Sequence, residues 1–193
     1  MSLRENKAYL YLAIVAAASW ILVNLTGLDE VSRGLLPQHS PDYFSKGYAK
    51  WDMNETGALK NQLLADKMIH YSDDRETHLD KPVFLSFSGR HAENRPPWII
   101  GAQSGLLSAD GKNLRLNGKV TIDRAGAKGV RPLQIKSSNL KVKPETGYAE
   151  TDEWAELISS SNRTTGTGMK LVFMQPVRVE LLSHVKGKYE TKQ

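Results

Sequence analysis

Histidines, serines and acids able to do chemistry are present in this sequence, but they do not stand in any working arrangement. Its five histidines, His39, His70, His78, His91 and His184, form neither an HExxH nor an HxH pair, spacings that place two imidazoles on one metal ion. His70 and His78 bracket a turn carrying Asp73 and Asp74, where a metal site is conceivable. Turn carboxylates ordinarily face water, so no metal is assigned. There is no GxSxG nucleophile elbow and no GxxxxGK[ST] phosphate loop. Gly166-Thr167-Gly168 lacks the strand-to-helix setting of a dinucleotide site. Glu150, Asp152, Glu153 and Glu156 read as a solvated face rather than as a paired acid and base. The absence of cysteine excludes disulfides and thiolate metal sites. A net charge of +5 is spread without any block of five like charges, which argues against a nucleic-acid stripe. Neither catalysis nor a cofactor is supported.

What the sequence writes repeatedly is alternation. Leu114, Leu116, Val120 and Ile122 hold even positions, while Arg115, Asn117, Lys119, Thr121 and Asp123 hold the odd ones. A period of two puts the apolar set on one face of a strand. Asp110-Gly111 signals a turn ahead of it, and Trp98-Ile99-Ile100 begins the strand before. A strand pair with one apolar face is not stable alone. Related units recur from Ala65 (with Val83, Leu85 and Phe87 on one expected face), from Ala102, from Ser137 and from Gly168, starting roughly 30 to 37 residues apart. Trp154, with Asp152 and Glu153, breaks the alternation of the third. Short aliphatic runs punctuated by Gly, Ser, Asn and Asp indicate an all-β domain of two facing sheets.

Ahead of it, Ala8 to Leu28 contains no charged residue, and at about 1.5 Å per residue it is long enough to cross a bilayer. Arg4 and Lys7 precede the run and Asp29 and Glu30 follow it, which places the first seven residues in the cytoplasm and the rest outside. A cleaved signal at Ala16-Ala17-Ala18 is the alternative. The apolar run continues through Trp20-Ile21-Leu22-Val23, which favours an anchor. Asn24 and Thr26 suit either the membrane interface or packing against other helices. The expected division is a cytoplasmic stub over 1–7, a transmembrane helix over 8–28, a tether over 29–47 and a β domain over 48–193.

Gly57-Ala58-Leu59 leading to Ala65-Asp66-Lys67-Met68-Ile69-His70-Tyr71, Lys81-Pro82-Val83, and the run from Trp98 to Asp123 resemble the LptC family of lipopolysaccharide export. So do Thr151-Asp152, Gly168-Met169-Lys170 and the closing stretch from Val185 to Tyr189. The resemblance spans essentially the whole chain, and the 125–130 loop and Trp154 fit it least. It implies an open, twisted β-jellyroll (OstA-like, V-shaped and two-sheeted) behind one inner-membrane helix, with the bulk of the chain periplasmic. It further implies that lipopolysaccharide passes from an inner-membrane ABC transporter complex to a periplasmic bridge protein of similar fold.

By that resemblance an apolar groove for lipid A would be lined by Leu79, Val83, Leu85, Phe87, Leu114, Leu116, Val120, Ile122, Val177, Val179 and Tyr189. Ordinary core packing is the competing role for each of them. Unpaired sheet edges recruit strands. The resemblance puts the transporter's edge at Tyr48 to Leu63, and the bridge protein's at Met169, Leu171, Leu181 and Val185. An edge-mediated homodimer is compatible with such edges. A membrane-tethered scaffold that docks proteins without carrying lipid is the alternative function, and an exported hydrolase is a distant third.

Overall fold

A computed structural model describes residues 3–26 (side chains over 9–25), 40–87, 95–160 and 162–188. The chain divides after Gln38 into a helical unit and a sheet unit. Helix α1, Leu3–Thr26, is rich in Ala and Leu and contains neither Gly nor Pro, so every position favours or tolerates a helix. Its described large side chains, from Tyr9 to Leu25, are at least half exposed on all sides. Asn24 Nδ2 donates to Trp20 O at 3.0 Å, so this amide is satisfied within its own helix. Among the described residues no helix is long and apolar enough to cross a membrane. The span expected over 8–28 extends past the described side chains at both ends.

The second unit is an antiparallel meander of ten strands: β1 Pro41–Met53, β2 Leu59–Tyr71, β3 Thr77–Asp80, β4 Val83–Ser86, β5 Trp98–Leu107, β6 Leu114–Arg124, β7 Leu133–Lys143, β8 Tyr148–Ser159, β9 Asn162–Val172 and β10 Arg178–Lys188. Neighbours in sequence are neighbours in the sheet, with β3 and β4 sharing one lane between β2 and β5. The expected tether boundary at 47 is corrected. Pairing begins at Pro41, with Tyr43 opposite His70 and Phe44 opposite Ile69. Pro41, Ser45 and Gly47 mask this strand in the sequence, although the ladder to β2 is nearly continuous.

One feature turns the single sheet into two layers. The lanes other than β2 carry an irregularity near their middle, and these irregularities line up. Gly47, Lys81, Gly118, Asn139, Gly168 and His184 take positive φ there, in β1, the β3–β4 break, β6, β7, β9 and β10. The register slips beside them between Ala102 and Ser104, Leu116 and Lys119, Lys136 and Lys141, Thr151 and Trp154, and Ser183 and Lys186. A bulge with a left-handed residue bends its strand sharply, and a row of bulges lets every strand pass from one layer to the next. Polar side chains close the ladder across the row. Asn139 Oδ1 accepts from Gly118 N at 3.1 Å, and its Nδ2 donates to Glu153 at 3.1 Å. Lys81 Nζ meets Asp66 at 3.1 Å. Thr151 Oγ1 donates to Ser138 O at 2.7 Å. The acids that spoil the alternation of β8, Asp152 and Glu153, are its bulge.

The two layers enclose one core. Phe84, beyond the seam, meets Phe173 edge-on at 6.1 Å between ring centres. Asn61 Nδ2 reaches Pro144 O at 3.4 Å, and Lys60 Nζ reaches Glu145 O at 3.2 Å. Each contact joins a strand of one layer to a loop or strand end of the other. The architecture is an open β-jellyroll.

Candidate functional site

The inner face is graded. At its centre Leu114, Leu116, Val120, Ile122, Ile135, Leu140 and Val142 are at most 1 % exposed, packed against Leu79, Ile100, Met169 and Leu171. Toward the flanks, Tyr48 and Met68 on β1 and β2, and Val177, Val179 and Leu181 on and just before β10, touch the same core but stay half-buried, as do Ala102, Leu133 and Leu157 on the interior strands β5, β7 and β8. Burial pushes the Tyr48 phenol above its ordinary value, with Asp52 and Tyr43 adding to the shift.

The expected groove residues divide accordingly. Leu79, Leu114, Leu116, Val120 and Ile122 face inward and are fully buried, while Val177 and Val179 lie at the half-packed flank. Val83, Leu85 and Phe87 are corrected: Phe84 and Ser86 are the buried members of β4, and the other three lie half-buried on the opposite face. The reason is the seam. Inward positions step by three from Leu79 to Pro82 across the left-handed Lys81, which inverts the parity that simple alternation from Leu79 would give. Tyr189 lies outside the described residues.

The described pairing leaves two open edges, β1 and β10. Tyr48 is on the first, and Leu181 and Val185 are on the second. Leu63, Met169 and Leu171 are corrected. They belong to β2 and β9, which are paired on both sides, and their side chains are buried in the core. The sequence showed where strands were but not which of them lacked a neighbour. Residues it missed include Phe84, Trp98 and Phe173 in the core, and Phe44 and Trp51, which stand 69 % and 55 % exposed on edge strand β1. Trp51 and Phe44 could have been found as bulky aromatics in a run short of aliphatics.

The turn with candidate metal ligands resolves differently from its sequence spacing. Asp74, Glu76 and His78 bring ligand atoms within 4.8 Å of one another. Glu76, however, takes Arg115 Nη2 at 2.6 Å, and Asp74 accepts the Glu76 amide at 2.8 Å. His70 stands apart, stacked on Tyr43 at 4.6 Å and hydrogen-bonded to Thr77 at 3.1 Å. These contacts give the turn a structural role. His39 and His91 lie outside the described residues.

The family described as "Lipopolysaccharide-assembly, LptC-related" matches residues 10–190. The lipopolysaccharide export system protein LptC of Escherichia coli strain K12 is 22% identical over 188 residues, covering 96% of this chain and 95% of its own. The protein of the same name from Shigella flexneri matches to the same extent. Among solved structures, LptH of Pseudomonas aeruginosa, described as the LptA-homologous periplasmic component of the lipopolysaccharide transport device, superposes with a TM-score of 0.53 at 9% identity. That superposition covers 68% of this chain and 95% of LptH, and it shows a shared fold. With a family match running through nearly all of its length, from the helix through the jellyroll, this chain belongs to the LptC family.

Proposed function

We propose that this protein binds lipopolysaccharide at the periplasmic face of the inner membrane and passes it from an ATP-driven extractor to a periplasmic β-jellyroll protein. Membership of the LptC family supports a role in lipopolysaccharide transport, and the observation that carries the finer reading is the graded inner face. A lipid A acyl chain of about twelve carbons costs roughly 10 kcal/mol to expose to water, so a carrier must offer continuous apolar surface. The half-packed residues Tyr48, Met68, Val177, Val179 and Leu181 offer it at the flanks, where the layers are not closed by a tenth-to-first strand pairing. The dry centre from Leu114 to Ile122 holds the fold.

The helical run, apolar on all sides, serves in this reading as a single inner-membrane span over 8–28 with the N-terminus cytoplasmic. The domain boundaries are then a stub over 1–7, a tether up to about residue 40 and the periplasmic jellyroll beyond it. Edge β1 would pair with the transporter's β domain and edge β10 with the bridge protein, each by strand addition. The same edges permit a homodimer. No step of this function calls for catalysis, a metal or a cofactor.

The test is retention of lipopolysaccharide by the full-length chain purified in a neutral detergent. Near-stoichiometric lipid that is displaced by excess lipid A supports the reading. A folded protein that retains none moves the membrane-tethered scaffold ahead.

A further inference from the structure

At the end of the core formed by Trp98 and Val177, two arginines converge on one small cleft. Arg95 precedes β5 and Arg124 ends β6, directly opposite Trp98 in the ladder, and Gln175 completes the polar wall. The Arg124 guanidinium lies over the Trp98 ring at 4.4 Å and is fixed further by a hydrogen bond from Nη2 to Arg131 O at 3.5 Å. Its Nε–H is buried and has no partner among the described residues. The ion pairs of the described residues lie elsewhere, and none joins Arg95 or Arg124 to a carboxylate. Loss of solvent and, second, the neighbouring Arg95 hold Arg124 below its ordinary pKa. A guanidinium that is partly desolvated, stacked and beside a like charge stands ready for an anion with several oxygens. The enclosed space, about 20 Å³, admits a water-sized group. It therefore takes the oxygens of an anion presented at the surface and cannot engulf a sugar.

We propose that Arg95 and Arg124 form a fork for a sugar phosphomonoester, received at the end of the apolar trough beside Val177. The identity of the phosphate's carrier as an acylated amphiphile rests on the proposed function, whereas the fork itself does not. The full-length chain in neutral detergent would be titrated with glucosamine 1-phosphate, and with glucosamine as control, while the Trp98 indole N–H is followed by NMR. The expected result is a saturable shift with the phosphate alone. Arg95→Gln, at an exposed position, should weaken it roughly tenfold, and Arg124→Gln should weaken it further. An equal response to glucosamine, no response, or an affinity unchanged in both variants would overturn the fork.

A second arm separates the carriers. Lipopolysaccharide stripped of its lipid A phosphates should bind the parent protein about tenfold more weakly than the intact form, and Arg95→Gln should erase that difference. If intact lipopolysaccharide binds with no such preference, the assignment of an acylated carrier to the fork fails and the trough stands. If lipopolysaccharide does not bind but glucosamine 1-phosphate still shifts Trp98, the trough fails and the fork stands.

Discussion

Strands β6 and β10 carry the same kind of sequence and meet opposite fates. In β6, Leu114, Leu116, Val120 and Ile122 are sealed at 1 % exposure or less. In β10, Val179 and Leu181 are only half-buried, while Leu182 and Val185 stand 47 % and 55 % exposed. The alternation is equally apolar in both. What differs is the number of neighbours: β6 is paired on both sides and covered by the second layer, whereas β10 ends the sheet. Apolar surface at the centre is already satisfied by protein, and apolar surface at the flanks is left for something else. Under the proposed function, folding falls to the first region and binding to the second, although sequence chemistry alone would treat them alike.

The assignment can be broken most forcefully at the centre. Ile122→Asp places a charge where no water reaches, at a cost of several kcal/mol against a total stability of about 5–15 kcal/mol. Loss of the cooperative thermal transition is expected, measured by circular dichroism, and a folded variant with only weakened lipid binding would put ligand at the centre instead. The seam that makes two layers comes next. Asn139→Ala removes both hydrogen bonds that bridge Gly118 and Glu153, at a left-handed backbone position, and should lower stability by about 1–3 kcal/mol in urea unfolding. At the flank, Val179→Asp should leave the melting temperature within a few degrees while weakening lipopolysaccharide binding roughly tenfold, about 1.4 kcal/mol.

The smallest effect concerns Tyr148. Burial and its donated hydrogen bond to Glu150, 2.8 Å away, push its phenol up to about 12. The stability it contributes is fully present below the ordinary tyrosine value of about 10 and is lost as pH rises through about 12. Phenolate absorbance should therefore show a late-titrating component that Tyr148→Phe removes.

The fold was largely legible because β6 crosses the seam in an even step. From Leu116 to Val120 the inward positions are four apart, as they are from Thr151 to Ala155 in β8, and the period of two survives. In β2, β5 and β9 the crossing takes three residues, from Ala65 to Met68, Ala102 to Gly105 and Gly166 to Met169, so the inward face changes parity halfway. The same step misled the reading of β4, where Val83, Leu85 and Phe87 offered an equally apolar alternative to Phe84. Gly118 and Gly168 hint at the seam, but Lys81, Asn139 and His184 adopt left-handed φ without glycine, and only the neighbouring strands reveal why. Edge status was illegible for a different reason. Met169 and Leu171 became interior because β10 pairs with them, a property of the assembled sheet rather than of their own segment. The fork at Arg95 and Arg124 unites residues 29 apart that meet only through the β5–β6 register.

The most direct test is photo-crosslinking in the full-length protein, with the reactive residue placed in turn at Val179, at Leu116 and at the outward Lys119, in the presence of lipopolysaccharide. Adducts are expected at Val179, none at Lys119, and at Leu116 either none or loss of the folded protein. Strong labelling of a folded Leu116 variant, with Val179 silent, would contradict binding at the flank.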